Sequence, residues 1–231
     1  MQPKLRELSQ LLKRDWELDC PQCGAKVVPV PTNEDKPLIP SSVYAISKQD
    51  QEQFCLVVGR AYNIPVVALR YFNVYGTRQA LSNPYTGVCA IFSARLLNDQ
   101  QPFVFEDGEQ TRDFVHVSDI VQANLLALET DKADYQTLNV GTGSPISIND
   151  ISVMLAHGLN KDIKPQITAK YREGDIRHCV ADISRARKLL GYEPKVTLTD
   201  GIPELLDWVR QQQAENTTQA TAELEQHQLV R

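Results

Sequence analysis

Three observations predict an α/β layered fold. Residues Val43 to Tyr62 are helix-compatible, with Gly59 as the single breaker; the β-branched apolar run IPVVALRYF (64–72) follows directly; and helix-like and strand-like stretches keep alternating downstream. A run as apolar as 64–72 is typical of a parallel strand buried on both faces.

Taken in order, Leu5, Leu8, Leu11 and Leu12 recur at helical spacing and predict a short amphipathic helix over 3–15. The stretch from Cys20 to Pro40 holds five prolines and no helical period, so it reads as loop, with Lys26–Val28 at most a short strand. In the long helix 43–62, Phe54, Cys55, Val58 and Ala61 fall on one apolar face. Val88–Leu97 reads as helix, PFVF (102–105) as strand, EDGEQ (106–110) as turn, RDFVHV (112–117) as strand, Ser118–Glu129 as helix and TLNVG (137–141) as strand. Ser147, three residues before Asp150, opens a helix running to about His157. Asp182 does the same for SRARKLL, which Gly191 stops. The last helix spans about Pro203–Gln213, and the polar stretch after it reads as disordered.

Composition sets the outer bounds. At 231 residues and 26.0 kDa the chain can bury a core without staples, since surface scaling puts roughly three quarters of the unfolded surface out of water. No stretch approaches the roughly 18 apolar residues of a membrane span. With 24 basic against 29 acidic residues, the net charge of -5 leaves no broad cationic face for nucleic acid. The N-terminus lacks an apolar h-region, so a cytoplasmic location is the default. Five cysteines, of which only Cys20 and Cys23 are close together, do not form an extracellular disulfide pattern.

Tyr44 and Lys48 are four residues apart at the start of the long helix, which places them on one face a turn apart. An ammonium there favours the phenolate and suits the phenol to acid/base work. The Y-x-x-x-K pattern alone is expected about 0.4 times by chance, so its context carries the argument. That context is YAISK (44–48), LRYFNVYGTRQ (69–79), EDGEQTRDFVHVSD (106–119), LNVGTG (138–143), REGDIRH (172–178), LGYEP (190–194) and DGIPELLDW (200–208). Together and in this order they resemble the NAD-dependent nucleotide-sugar epimerase/dehydratase family, which are extended short-chain dehydrogenases/reductases.

The resemblance implies the C-terminal part of a doubly wound, Rossmann-like parallel sheet with a smaller α/β substrate-binding subdomain. It implies NAD as cofactor and a nucleoside-diphosphate sugar as substrate. Tyr44 is then the acid/base, and Lys48 lowers its pKa and holds the nicotinamide ribose. Tyr71 and Phe72 lie beside the nicotinamide, Asn73 reaches the substrate, Arg112 binds the diphosphate, and Arg172 and Asp175 hold phosphate and ribose. A homodimer pairing through the long helix is also implied. The competing reading of Arg112 in R-D-F, which its context disfavours, is a satisfied Arg–Asp pair on a strand.

Two departures matter. Gly76–Arg78 reads GTR where the family pattern has Gly-Pro-Arg. No glycine run forms the dinucleotide fingerprint, and Gly141 and Gly143 read as a tight turn, so most of the cofactor domain is expected to be missing. The expected organisation is a helix and CxxC loop over 1–36, the catalytic and substrate-binding part over 37–213, and a tail over 214–231. Cys20-Pro-Gln-Cys23-Gly24 has the shape of a zinc knuckle, but two thiolates are half of a tetrahedral set, so the expectation is an orphan half-site without metal. His116 reads as a core or loop histidine. The functional expectation is an incomplete epimerase of the UDP-glucose/galactose type acting through a transient keto sugar. The alternatives are a non-catalytic sugar-nucleotide-binding chain that needs an N-terminal half in trans, and a dehydratase or decarboxylase.

Overall fold

Serine at position 42 decides where the longest helix starts. The computed structural model describes residues 6–80, 87–172 and 174–212, and in it the Ser42 hydroxyl accepts the Ala45 N–H at 3.1 Å. That helix, α2, spans Val43–Tyr62 and closes on Asn63 in the left-handed conformation. The helix before it, α1, is only Leu8–Leu12, ended by the positive φ of Arg14, so of the amphipathic helix expected over 3–15 the described residues 6–7 and 13–15 are not helical. Leu5 lies outside the described residues; Leu8 and Leu12 face solvent, and Leu11 packs in a small cluster with Trp16 and Tyr171. The tail over 214–231 lies outside the described residues.

Strand β1 (Ala68–Tyr71) is followed closely by β2 (Asn73–Tyr75). Then come α3 (Val88–Leu97), β3 (Phe103–Val104), β4 (Thr111–His116), α4 (Val117–Leu128) and β5 (Thr137–Val140). The chain continues through β6 (Pro145–Ser147), α5 (Ile148–Gly158), β7 (Gln166–Ile167), β8 (His178–Cys179), α6 (Ser184–Leu190) and α7 (Leu198–Arg210). Strand β1 runs parallel to β5, with Ala68 opposite Thr137, and β3 runs parallel to β7. Strand β4 is the hub, parallel to β2 and β8 and antiparallel to β6. The alternation read from sequence is thus present, with β6, β7 and β8 added and α7 starting five residues early, capped by the Thr197 hydroxyl on the Asp200 N–H.

Two cores hold these layers. Leu96, Phe114, Ile151, Leu155, Leu205 and Leu206 pack α3, α5 and α7 onto β4. Val115, Leu138, Val140, Ala186 and Tyr192 pack α4 and α6 on the other side. Two expectations fail at the edge of the second core. Strand β1 is half-buried rather than covered on both faces, because among the described residues it has β5 as its one strand neighbour. The Phe54, Cys55 and Ala61 face of α2 lies in solvent, and Gly59 is the one buried residue of that helix. A Cβ at Gly59 would stand 2.7 Å from the Val66 side chain and 2.9 Å from the Ile64 carbonyl, so the helix rides directly on the strand's approach.

Asp113 joins the hub to its surroundings. Its fully buried carboxylate accepts the Thr142 N–H (2.8 Å) and hydroxyl (2.6 Å), the Gly143 N–H (2.8 Å) and the Ala181 N–H (3.0 Å). Asp113→Asn turns an amide N–H₂ toward a set of donors and strands them in the core. We expect a loss of about 3 kcal/mol or more, read as a lower urea midpoint at unchanged slope.

Candidate active site

The first turn of α2 places Tyr44 and Lys48 together, with the Lys48 ammonium 5.7 Å from the Tyr44 ring centroid. Lys48 Nζ donates to Gln51 Oε1 at 3.2 Å, and the Ser47 hydroxyl donates to the Tyr44 carbonyl at 2.8 Å. The phenol is 72% exposed, so nothing in the described residues roofs it. Tyr71 closes β1 and donates its hydroxyl to Asn124 Oδ1 at 3.0 Å, while Phe72 tucks against the second core and its N–H donates to the Val140 carbonyl. Asn73 begins β2 opposite Phe114.

A second group gathers around the loop between β7 and β8. Arg112 leaves β4 on the face opposite Asp113, as strand alternation requires. Its Nη1 donates to the carbonyls of Thr111 (2.9 Å) and Arg177 (3.0 Å), and its Nη2 reaches Asp175 Oδ1 at 3.3 Å. The adjacent Arg112 and Asp113 are therefore not paired with each other. Asp175 also accepts the Ile176 N–H, and its own N–H returns to the Arg172 carbonyl, which closes a tight turn. The Arg172 guanidinium lies over the Phe105 ring at 5.2 Å, and its buried Nε has no hydrogen-bond partner among the described residues. Arg112 and Arg172 thus offer planar donor sets suited to an oxyanion.

The two groups touch. Gly174, at φ +77°, accepts the Ser41 hydroxyl on its carbonyl at 3.3 Å, and a Cβ there would meet the Ser41 side chain at 3.0 Å. The residue just before the α2 cap is therefore seated on the turn between Arg172 and Asp175. The Gly141–Gly143 turn plays no such part: its N–H donors at Thr142 and Gly143 are consumed by Asp113, and it leads into β6 rather than a helix. His116 is buried, its Nδ1 2.8 Å from the Ser118 hydroxyl at the start of α4.

Sequence reasoning missed what braces the loop. Arg177 is nearly fully buried, with Nη1 and Nη2 on Asp107 (2.7 and 2.9 Å), Nη1 on Glu106 (3.0 Å) and Nε on Glu17 (2.8 Å). Arg6 reaches Glu106 (2.9 Å) and the Asp175 carbonyl (3.0 Å) from the N-terminal segment. His178 stands 3.2 Å from Glu17 and 2.8 Å from the Thr111 hydroxyl. Burial works against the Arg177 charge, but the hydrogen bonds to Asp107 and Glu17 outweigh it and hold the guanidinium above its ordinary range. The only clue in the sequence was Arg177 inside REGDIRH, since its acidic partners are 70 and 160 residues away in the chain.

The same segments recur in known proteins. A family model described as GDP-mannose 4,6 dehydratase matches residues 25–205. The dTDP-L-rhamnose 4-epimerase of Burkholderia thailandensis is 33% identical over 211 residues, covering 91% of this chain and 56% of that protein. Among solved structures, the UDP-glucose 4-epimerase of Thermotoga maritima with UDP-glucose superposes with a TM-score of 0.72 at 38% identity, covering 80% of this chain and 58% of the other. The UDP-glucuronic acid 4-epimerase of Bacillus cereus in complex with UDP-glucuronic acid and NAD gives 0.71 at 34% identity, covering 80% and 57%. The chain thus spans a little over half the length of the relatives it matches.

The brace predicts acid sensitivity. Burial raises the Glu17 and Asp107 carboxyls, but the Arg177 guanidinium, joined by His178 at Glu17 and by the Glu109 N–H at Asp107, outweighs it and holds both below their ordinary values of 4.5 and 3.8. The unfolded chain therefore protonates first, and stability present above those values is lost as pH falls through the lower folded ones. Urea midpoints are expected to hold from neutral pH to about 5 and then fall, with a shallower fall in Glu17→Gln. Equal acid slopes in the two proteins would show that Glu17 carries none of it.

Proposed function

Because the chain belongs to the NAD-dependent nucleotide-sugar epimerase/dehydratase family, within the extended short-chain dehydrogenases/reductases, we propose that it carries the proton-transfer and substrate-anchoring part of a UDP-glucose/galactose-type epimerase. The observation that supports this most is the seating of Ser41 on Gly174, which brings the start of the Tyr44 helix to the turn holding Arg172 and Asp175. A sugar whose diphosphate lies on the arginines is thereby directed toward the phenol. Tyr44 takes the proton from a sugar hydroxyl as the carbon is oxidised and returns it when the keto sugar is reduced on its other face. Lys48, a turn away, favours the phenolate by its charge. Arg112 and Arg172 bind the diphosphate oxygens, Asp175 accepts from ribose hydroxyls, and Asn73 reaches the sugar.

For NAD the donor set fits at one end. Tyr44 and Lys48 present a phenol and an ammonium on an open face, with Tyr71 and Phe72 at the end of the neighbouring strand, which suits the nicotinamide ribose. Among the described residues no glycine turn with free N–H groups opens a helix to receive the pyrophosphate. NAD, when bound, supplies the hydride acceptor and donor. We place the enzyme in the cytoplasm; among the described residues no helix is long and apolar enough to cross a membrane.

A second reading rests on α2, where Phe54, Val57 and Tyr62 stand exposed, and on the open side of β1. This surface suits a homodimer contact and the remaining strands of a dinucleotide domain, so that this chain alone binds sugar nucleotide without turnover until that half is supplied in trans.

Calorimetry with UDP-glucose should show binding that Arg112→Ala weakens at least about tenfold, while Tyr44→Phe leaves it nearly unchanged. NAD should bind the chain weakly or not at all, and a micromolar dissociation constant would remove the second reading. With an N-terminal half supplied, Tyr44→Phe should lower kcat by about 10² to 10⁴, whereas Arg112→Ala should mainly raise KM. Full turnover in Tyr44→Phe overturns the acid/base assignment.

A further inference from the structure

The N-terminal segment, residues 6–17, meets the stretch that carries Arg172 and Asp175 at three points. Leu11 and Trp16 are buried with Tyr171, the Trp16 and Tyr171 rings 6.4 Å apart. Glu17 takes the Arg177 guanidinium at 2.6 Å and stands 3.2 Å from His178. Between these contacts Arg6 donates Nη2 to the Asp175 carbonyl at 3.0 Å. A helix as short as α1 does not hold itself in water, so it is these tertiary contacts that fix the segment.

The Arg6 side chain is 5% exposed, and its fork grips Glu106 with Nη2 on Oε1 at 2.7 Å and Nη1 on Oε2 at 2.9 Å. Glu106 stands at φ +53°, a left-handed backbone that persists in a non-glycine residue where the surroundings hold it. Its carboxylate also accepts from Arg177, so this strained residue joins Arg6 to the arginine whose carbonyl orients Arg112. Glu106 already neutralises the buried Arg6 guanidinium. The further bond to the Asp175 carbonyl is not needed for charge, and it is the one that reaches the ligand-facing turn. The preceding carbonyl, that of Gly174, accepts the Ser41 hydroxyl at 3.3 Å. Two successive carbonyls are thus held from two different parts of the chain, and the Asp175 carboxylate is left on Arg112 Nη2 at 3.3 Å and on the Ile176 N–H at 2.9 Å.

We propose that Arg6 is a positioning residue of the sugar-nucleotide anchor: it keeps the Asp175 turn in the conformation that receives diphosphate and ribose, and it touches neither. The inference rests on the anchoring roles proposed above for Arg112, Arg172 and Asp175. A ligand that meets an ordered turn loses no affinity to ordering it. Where the turn is ordered part of the time, the apparent dissociation constant rises in inverse proportion to the ordered fraction, so removal of Arg6 is read directly as lost affinity. The N-terminal segment thereby belongs to the binding apparatus, although it lies outside every motif that marks the site in the sequence.

The test uses the full chain and Arg6→Met, which keeps the stem of the side chain, removes its fork and leaves Glu106 with Arg177 as partner. Calorimetry with UDP-glucose should give an affinity about fivefold to tenfold weaker in Arg6→Met. It should be unchanged in Ile151→Val, a core substitution in α5 that lowers stability away from the turn. In an Asp175→Ala background the same Arg6 substitution should weaken binding less than about twofold, because the group it positions is gone. Amide exchange followed by NMR should accelerate at Asp175 and Ile176 in Arg6→Met by more than at Leu138 and Val140 of β5. Equal acceleration at both places, fully additive losses with Asp175→Ala, or an affinity unchanged in Arg6→Met while Arg112→Ala weakens it each overturns the role of Arg6. Failure of the unaltered chain to bind UDP-glucose overturns the anchoring roles themselves, and the role of Arg6 with them.

Discussion

The carboxylate of Asp113 holds the molecule's working parts in one frame. It sits at the centre of β4 with no exposure, and its two oxygens take four donors from two other stretches of chain, the Thr142–Gly143 turn and Ala181. Burying a charge is costly unless it is saturated with hydrogen bonds, so this junction tolerates one arrangement of its neighbours and no close alternative. A Cβ on Gly141 would come within 2.7 Å of the same carboxylate, which explains why glycine stands there. Since side chains alternate along a strand, anchoring Asp113 inward forces Arg112 outward, onto the loop that ends in Asp175.

That loop is set from the other side by charge. Arg177 gathers Glu17, Glu106 and Asp107, and Arg6 brings the N-terminal segment onto Glu106 and the Asp175 backbone. Two guanidiniums among three acids leave every buried charge with a partner, which is the condition under which such a cluster is tolerated. The outcome is positional. Among the described residues Arg172 is left with a buried Nε that has no hydrogen-bond partner, its guanidinium over the Phe105 ring, which is the feature behind its proposed diphosphate role.

The attachment of α2 is of a different kind. Arg70 clasps Glu52 with two 2.7 Å bonds, and Gly59 lets the helix sit against Val66 and Ile64. Arg60 also donates to the Tyr135 carbonyl at 3.0 Å, but Val43, Phe54, Val57 and Tyr62 are exposed among the described residues. Apolar side chains in such a row are what an interface or a further layer covers. Tyr44 stands on this exposed helix face, so the proposed acid/base group has Lys48 beside it but, among the described residues, lacks the enclosed, low-dielectric surroundings that amplify electrostatics in an active site.

Much of the fold and the local geometry of the candidate site were legible in the residue order. Ser42 and Asn63 bound α2 at the expected residues, Ser147 and Gly191 cap where their types say they should, and the four-residue step from Tyr44 to Lys48 puts both on one helical face. These are local consequences of dihedral preference, capping and a 3.6-residue period, which operate within a few residues and need no knowledge of the rest of the chain. What joins Arg177 to Glu17, Asp113 to Ala181 and Ser41 to Gly174 spans from 68 to 160 residues. Equally, a periodic pattern says that a helix or strand has an apolar face and not what meets it, so the expected burial of β1 and of the Phe54 face failed where no neighbouring layer is present. Pairing across such distances and the coverage of a face depend on which surfaces the folded chain brings into contact, and only the tertiary structure decides that.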